Sequence, residues 1–137
     1  PENKIVLFGR SMGGAVAAHL ASVVSSAVLL LEASISSIAN MIREHAAWTR
    51  YVPINLLFRS KFDTHAYVAS RPVPTLILHG DCDRTVSYTN SERILSSVMG
   101  QKKLHIVAGG EHDGPDLVDP DEYHWVISEF LSENNTL

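Results

Sequence analysis

The stretch Ile5-Val6-Leu7-Phe8-Gly9-Arg10-Ser11-Met12-Gly13-Gly14 lies near the start of this 137-residue chain and joins an apolar run to a glycine-rich turn. The apolar run has no polar alternation, which predicts a strand buried on both faces of a parallel sheet. Gly14 to Val24 carries apolar side chains at helical spacing and predicts a helix. Ser11 is therefore expected at a tight turn from a strand into a helix.

The turn Gly9-Arg10-Ser11-Met12-Gly13 fits the pattern G-x-S-x-G, which in this strand-to-helix context is typical of a nucleophile elbow. Such a turn lifts the serine hydroxyl above the sheet, at the positive end of the helix. Both flanking glycines are expected because side chains there would collide. The N–H of Met12 is expected to donate to the oxyanion that forms during acyl transfer.

Other glycine-rich turns fit less well. A dinucleotide-binding turn needs a glycine where Arg10-Ser11 stands, and a phosphate loop needs Lys and then Ser or Thr where Ala15-Val16 follows. The structural alternative is that Ser11 only occupies a tight turn.

Along the chain the pattern predicts the order β-α-β-insertion-β-α-β-α, which is an α/β fold with a mostly parallel sheet and helices on both faces. No linker divides it, so residues 1–137 are expected to belong to one domain, with a small helical insertion at about 33–70. The remaining predicted strands are Ser26–Leu31, Pro74–His79 and Lys103–Val107. Further helices are predicted at Ile38–Ala47, Asp63–Ala69, Thr89–Met99 with a capping box from Thr89 to Glu92, and from an Asp119 cap to about Leu131.

A serine nucleophile needs a histidine base and an orienting acid further along the chain. Asp83, in the loop after the third strand, is the preferred acid, with Asp81 and Glu32 as alternatives. His112 follows the fourth strand in a glycine-flanked loop and is the preferred base. The other histidines are expected in packing or surface positions, and none has the spacing of a metal site, so no metal is expected.

Composition and charge exclude several classes of protein. The formal net charge is −4, which disfavours nucleic-acid binding. The longest strongly apolar run, Ala27 to Leu31, is far too short to span a membrane, and no leader pattern opens the chain. Cys82 is the only cysteine, so no internal disulfide can form, and a cytoplasmic location is expected. Its acidic neighbours, Asp81 and Asp83, predict an unreactive thiol.

Taken together, the chain resembles the C-terminal portion of serine hydrolases of the α/β-hydrolase superfamily, of the α/β-hydrolase domain-containing type. The resemblance rests on Gly9–Gly14, the apolar strand to Leu31, Leu78-His79-Gly80-x-x-Asp83-x-x-Val86 and Gly110-x-His112. It implies a catalytic triad of Ser11, Asp83 and His112, with the Met12 N–H in the oxyanion hole. It implies no cofactor.

The same resemblance implies that the N-terminal strands are missing from this chain. With them goes the loop that supplies the second oxyanion N–H in this superfamily. The strand at Ile5–Phe8 is then expected to have an open apolar edge, which a complementing N-terminal segment or self-association would cover.

The resulting function is a serine hydrolase that cleaves a carboxylic ester, thioester or amide of a small acyl substrate through an acyl-enzyme. Two alternatives remain: a non-catalytic truncated hydrolase module, and an acyltransferase with the same triad. The apolar residues of the insertion are expected to roof the site, and at least one of them to line an acyl pocket beside Ser11. These residues are Ile38, Met41, Ile42, Trp48, Tyr51, Leu56, Leu57 and Phe58.

Overall fold

A parallel sheet of four strands, in the order β1-β2-β3-β4, organises the computed structural model, which describes residues 5–25, 28–54 and 62–134. The strands are β1 (Val6–Arg10), β2 (Val28–Glu32), β3 (Thr75–Gly80) and β4 (Lys102–Val107). The helices are α1 (Met12–Val23), α2 (Ile38–His45), α3 (Thr64–Val68), α4 (Thr89–Ser97) and α5 (Pro120–Glu133), with 3₁₀ turns at Ala47–Tyr51 and Pro115–Leu117.

Helices cover both faces of the sheet, as the strand–helix alternation predicts. Successive side chains of a strand point to opposite faces, so β2 contributes to two separate cores. Leu29 and Leu31 pack with α1, α3 and α4, whereas Val28 and Leu30 pack with α5. Phe130 of α5 is fully buried, and burial of such a side chain stabilises the fold by about 1.5–3 kcal/mol.

The structure shifts several predicted boundaries. Helix α1 begins at Met12, directly after Ser11, two residues before the apolar periodicity begins. The Asp119 cap is confirmed, because its carboxylate accepts from the N–H of Glu122 at 3.0 Å. The predicted capping box at Thr89 is wrong: the residue before α4 is Tyr88, and Thr89 N–H instead donates to Ser87 Oγ at 3.4 Å.

Polar contacts hold the insertion to helix α4. Asn90 of α4 is buried and accepts hydrogen bonds from the N–H and hydroxyl of Ser36, while its amide donates to both carboxylate oxygens of Glu44. The predicted residues Leu56, Leu57 and Phe58 lie outside the described residues. Trp48 and Tyr51 are exposed.

Strand β1 is an edge of this four-stranded sheet, since within the described residues it pairs with β2 alone. Apolar side chains on and beside it are exposed: Ile5 and Phe8 on the strand side, and Met12, Val16, Leu20 and Val23 along α1. The open apolar edge expected from the sequence is therefore present.

Candidate active site

Ser11 occupies the turn between β1 and α1 with a strained backbone. Its φ is 52° and its ψ is −124°, a conformation that costs a non-glycine residue about 1–3 kcal/mol. The Ser11 N–H donates to the carbonyl of Glu32 at 2.9 Å, which ties the turn to the end of β2. Met12 begins the helix, so its N–H is among the first four that have no partner within the helix. This conformation is the one that a nucleophile elbow requires.

The glycines around Ser11 are required at different positions from those expected. A Cβ at Gly9 would lie 2.5 Å from the carbonyl oxygen of Gly13, and one at Gly14 would lie 2.0 Å from Ser34 Oγ. At Gly13 a Cβ would meet nothing within 4 Å among the described residues. The expectation that Gly13 avoids a collision is therefore wrong here, and Gly14 is the tightly packed glycine on the helical side.

Asp83 and His112 contact each other at the carboxyl ends of β3 and β4. His112 Nδ1 lies 2.7 Å from Asp83 Oδ2. Asp83 Oδ1 accepts from the N–H groups of Thr85 and Val86, each at 2.8 Å, and the Asp83 side chain is 0% exposed. Burial raises the pKa of Asp83, but the bonds from Val86, His112 and Thr85 outweigh it and lower that pKa below its usual value. The carboxylate is therefore ionised at neutral pH and fixes a hydrogen on His112 Nδ1.

The two alternative acids are bound elsewhere. Asp81 Oδ1 accepts from the N–H of Gly109 at 2.7 Å, so it fastens the loop that follows β4. Glu32 is buried; its Oε1 lies 3.0 Å from Arg10 Nε, and its Oε2 accepts from the hydroxyl of Tyr123. Burial is the largest cause that raises the pKa of Tyr123, and the hydrogen bond and charge of Glu32 raise it further. The pKa therefore lies well above its ordinary value, which keeps the phenol protonated.

His79 lies in β3, as its sequence pattern predicts, but its contact with Asp83 was not predicted. Its ring is fully buried, with Nε2 at 2.9 Å from the Val86 carbonyl and 3.2 Å from Asp83 Oδ2. Both neighbours are acceptors, so Nε2 carries a hydrogen and Nδ1 faces Ser91 Oγ at 2.6 Å. His79 thus gives Asp83 a second imidazole neighbour. The signal available in the sequence was the i, i+4 spacing of His79 and Asp83.

The loops after β3 and β4 interlock before they reach these side chains. Cys82 N–H donates to the Gly110 carbonyl at 2.9 Å, and Asp81 N–H donates to the Val107 carbonyl at 3.2 Å. A Cβ at Gly80 would lie 2.1 Å from the Gly110 carbonyl oxygen, so only glycine permits this approach. This backbone contact brings Asp83 to His112.

Arg10 connects the elbow to the loop that carries His112. Its Nη2 donates to the His112 carbonyl at 2.6 Å and to Asp113 Oδ1 at 2.8 Å, while its Nε faces Glu32. Ser11 Oγ has no hydrogen-bond partner in the part of the chain that the structure describes. A direct bond between Ser11 and His112 therefore stays a prediction.

One cleft borders the loop that carries His112, and another borders α1. A polar cleft of about 350 Å³ borders the His112 loop, lined by Cys82, Arg84, Thr85, Glu111, His112 and Asp113. A more apolar cleft of about 500 Å³ lies between α1 and the end of the insertion, lined by Ala15, Val16, His19, Phe62 and Tyr67. Neither cleft is lined by those predicted acyl-pocket residues of the insertion that the structure describes, so that pocket also stays a prediction.

Other chemistry is sparse in the described residues. No group of three or more His, Cys, Asp or Glu side chains able to hold a metal occurs among them. No helix in those ranges is long and apolar enough to cross a membrane. Cys82 is exposed, and the hydrogen bond and charge of Asp81 raise the pKa of its thiol, which disfavours a reactive thiolate.

Similar sequences occur in bacteria. The chain is 31% identical over 134 residues to the uncharacterized protein Rv2307c of Mycobacterium tuberculosis, matching 98% of this chain and 47% of that protein. It is 27% identical over 116 residues to the uncharacterized protein YfhR of Escherichia coli K12, and this match covers 80% of the chain and 38% of YfhR. The chain thus spans half or less of the length of these relatives. No protein-family model matches it.

Solved structures share the arrangement of strands and helices. The Pyrococcus horikoshii acylaminoacyl peptidase superposes with a TM-score of 0.74 at 17% identity, over 96% of this chain and 24% of that one. An alpha/beta hydrolase from the metagenome of Mar Chica lagoon sediments superposes with a TM-score of 0.70 at 16% identity. The match covers 98% of this chain and 64% of that enzyme. The chain has the α/β-hydrolase fold. The esterase RhEst1 from Rhodococcus sp. ECU1013 also matches this fold, with a TM-score of 0.68 at 18% identity. That match covers 93% of this chain and 64% of the esterase.

In the α/β-hydrolase fold the loops after parallel strands meet at one edge of the sheet. Ser11, Asp83 and His112 lie after β1, β3 and β4, and Glu32 is the last residue of β2. The fold thus explains why residues as far apart as Arg10 and Asp113 are in contact.

Proposed function

We propose that this chain carries the catalytic residues of a serine hydrolase acting on a carboxylic ester, thioester or amide. The proposal rests on one observation: a serine in a strained strand-to-helix turn shares a sheet edge with a buried carboxylate bound to a histidine ring. Each residue type has the chemistry that its position would need.

Asp83 holds the hydrogen on His112 Nδ1, so the lone pair of Nε2 is available to accept a proton. In the first half-reaction His112 Nε2 takes the proton of Ser11 as Oγ attacks the carbonyl carbon. The bond to the leaving group then breaks, and His112 returns the proton to that group. Asp83 stabilises the imidazolium without becoming protonated itself.

The N–H of Met12 donates to the negatively charged oxygen of the tetrahedral intermediate. In the second half-reaction water attacks the acyl carbon and His112 accepts a proton from that water. The bond from the acyl carbon to Ser11 Oγ then breaks, His112 returns the proton to Oγ, and a carboxylic acid is released. Transfer of the acyl group to an acceptor other than water would use the same residues.

The test is labelling of the complete gene product with a fluorophosphonate, which reacts with activated serines. Ser11→Ala should abolish labelling, whereas Ser96→Ala, a change at an exposed serine of α4, should leave it intact. Asp83→Asn should lower ester turnover by about 10⁴-fold, because the amide no longer fixes the productive tautomer of His112.

Labelling that persists in Ser11→Ala would contradict the proposal. A folded protein that is not labelled and hydrolyses no ester would favour the non-catalytic alternative. A product that forms only when an alcohol or amine acceptor is added would favour acyl transfer over hydrolysis.

A further inference from the structure

The position between the first glycine and the nucleophile in G-x-S-x-G is variable in the pattern, yet here it holds Arg10, whose side chain makes three polar contacts. Arg10 Nε faces Glu32 Oε1, and Nη2 reaches the His112 carbonyl and Asp113 Oδ1. Arg10 and Glu32 are also directly paired in register on β1 and β2. The guanidinium thus spans from the sheet to the loop that carries the proposed base.

Glu32 fixes the orientation of that guanidinium. Both of its carboxylate oxygens are engaged, one with Arg10 and the other with the hydroxyl of buried Tyr123. A buried carboxylate requires a partner of opposite charge, so Arg10 is held on the sheet side by a strong constraint. With Nε committed to Glu32, the planar fork directs Nη2 toward the His112 loop.

The loop itself has few other attachments at this point. Gly109 and Gly110 are tied to the β3 loop through Asp81 and Cys82. For the backbone of residues 111–113, the bond from Arg10 to the His112 carbonyl is the one hydrogen bond present among the described residues. The His112 ring is fixed by Asp83, but its backbone is fixed by Arg10.

We infer that Arg10 is a positioning residue, which binds the backbone of His112 and holds the loop of residues 111–113 against the serine turn. Its consequence for catalysis rests on the proposed function. Because Arg10 directly precedes Ser11, a shift of the turn would carry the guanidinium, and with it the His112 loop, in the same direction. The distance between the reacting oxygen and the imidazole is then kept constant, and displacements of about 1 Å in such geometry can cost about 10²-fold in rate.

Arg10→Lys separates this role from simple neutralisation of Glu32. The lysine ammonium can still pair with Glu32, which preserves the buried charge pair, but it lacks the fork that bridges to the loop. Asp113→Asn is the second variant. Its side chain is 93% exposed, so the change weakens one contact of Arg10 without threatening the fold. Arg93→Lys is the matched control, since Arg93 pairs with Glu44 at 2.7 Å on another surface.

Two readouts in the complete gene product decide the inference. Backbone ¹⁵N relaxation of residues 111–113 reports the tether, because the Arg10 bond restrains their backbone without protecting an N–H from exchange. The rate constant of fluorophosphonate labelling, taken from a time course normalised to its end point, reports reactivity per intact site. Expected for Arg10→Lys are lower order parameters in residues 111–113, a labelling rate constant about 10–100-fold lower and an unchanged KM for an ester substrate.

Asp113→Asn should show a smaller change in the same direction, and Arg93→Lys should behave as wild type. Order parameters of residues 111–113 that are unchanged in Arg10→Lys would overturn the inference, as would a labelling rate per site within twofold of wild type. A wild-type protein that is not labelled at all would overturn the proposed function instead, and the relaxation measurement would then still decide whether Arg10 tethers the loop.

Discussion

At the residue scale, the two adjacent glycines after Ser11 differ sharply in their surroundings. Gly13 faces open space among the described residues and has a helical backbone, whereas a Cβ at Gly14 would lie 2.0 Å from Ser34 Oγ and 2.6 Å from Ser34 Cβ. The Ser34 backbone belongs to the buried segment after β2 and has little room to move. The same substitution should therefore have opposite effects at neighbouring positions.

We predict that Gly14→Ala lowers the free energy of unfolding by about 1–3 kcal/mol, the usual range for overpacking. Gly13→Ala should be neutral or raise that free energy by up to about 1 kcal/mol, since alanine favours a helix. Urea denaturation of the two variants beside wild type measures the difference. Equal destabilisation by both would show that the space beside Gly13 is filled in the complete protein.

Ser11, Asp83 and His112 were each identified in the sequence because each stands in a short local motif. The contacts of Arg10 were not, because no spacing along the chain links Arg10 to Asp113 or Glu32 to Tyr123. The contact between His79 and Asp83 was not predicted either: their i, i+4 spacing is visible in the sequence, but the ring reaches Asp83 only once the loop after β3 has folded back. Local motifs indicate candidate catalytic residues, and the tertiary contacts that orient those residues become visible only in the fold.

At the element scale, helix starts were predicted well where one side chain decides them. The start of α5 is fixed by the Asp119 carboxylate and by Pro120, and both signals are local. At α4 the predicted capping box failed because Ser87 accepts the hydrogen bond that was assigned to the box. Helix α1 starts earlier than its apolar periodicity because the strained turn at Ser11 ends β1 abruptly.

The insertion offers a prediction at the same scale. Asn90 is fully buried and connects α4 to Ser36 at the start of the insertion and to Glu44 of α2. Asn90→Ala would leave the Ser36 N–H and hydroxyl without this acceptor, at a cost of about 1–3 kcal/mol in the free energy of unfolding. Thermal or chemical denaturation measures the loss.

Hydrogen exchange should also accelerate in residues 36–45 of the Asn90→Ala protein, because α2 loses its anchor to α4. The control is Ser96→Ala, which removes an exposed hydroxyl from the same helix. If the two variants were equally stable, the polar contacts of Asn90 would not hold the insertion in place.

At the scale of the whole molecule, the alternation of strands and helices was enough to predict the parallel sheet and its two helical layers. The apolar runs of β2 and β3 are buried along their whole length, which is the pattern that a central parallel strand requires. Which helix covers which face could not be read from the sequence, since no local pattern tells on which side of the sheet α1 or α5 packs. Packing of Leu29 with α1 and of Leu30 with α5 settles it in the fold.

The surface around β1 leads to the last prediction. Phe8 is 54% exposed on the edge strand, and Val16 and Val23 are 57% and 63% exposed on the adjoining helix. An unpaired edge with apolar neighbours readily pairs with other chains. We propose that an N-terminal segment, a second chain or self-association covers this surface in the working protein.

Residues 1–137 made alone should therefore associate and show little esterase activity. The Met12 N–H would act without the second oxyanion donor that the α/β-hydrolase resemblance implies, and loss of one such donor costs about 10²–10³ in turnover. Light scattering should find oligomers, and Phe8→Lys or Val16→Lys should shift them toward monomer, because a charge on the edge or on α1 opposes association. Trp125→Lys, at an exposed site on α5, should not. A wild-type segment that stays monomeric and turns over an ester at an ordinary rate would show that neither the edge nor the missing donor limits this chain.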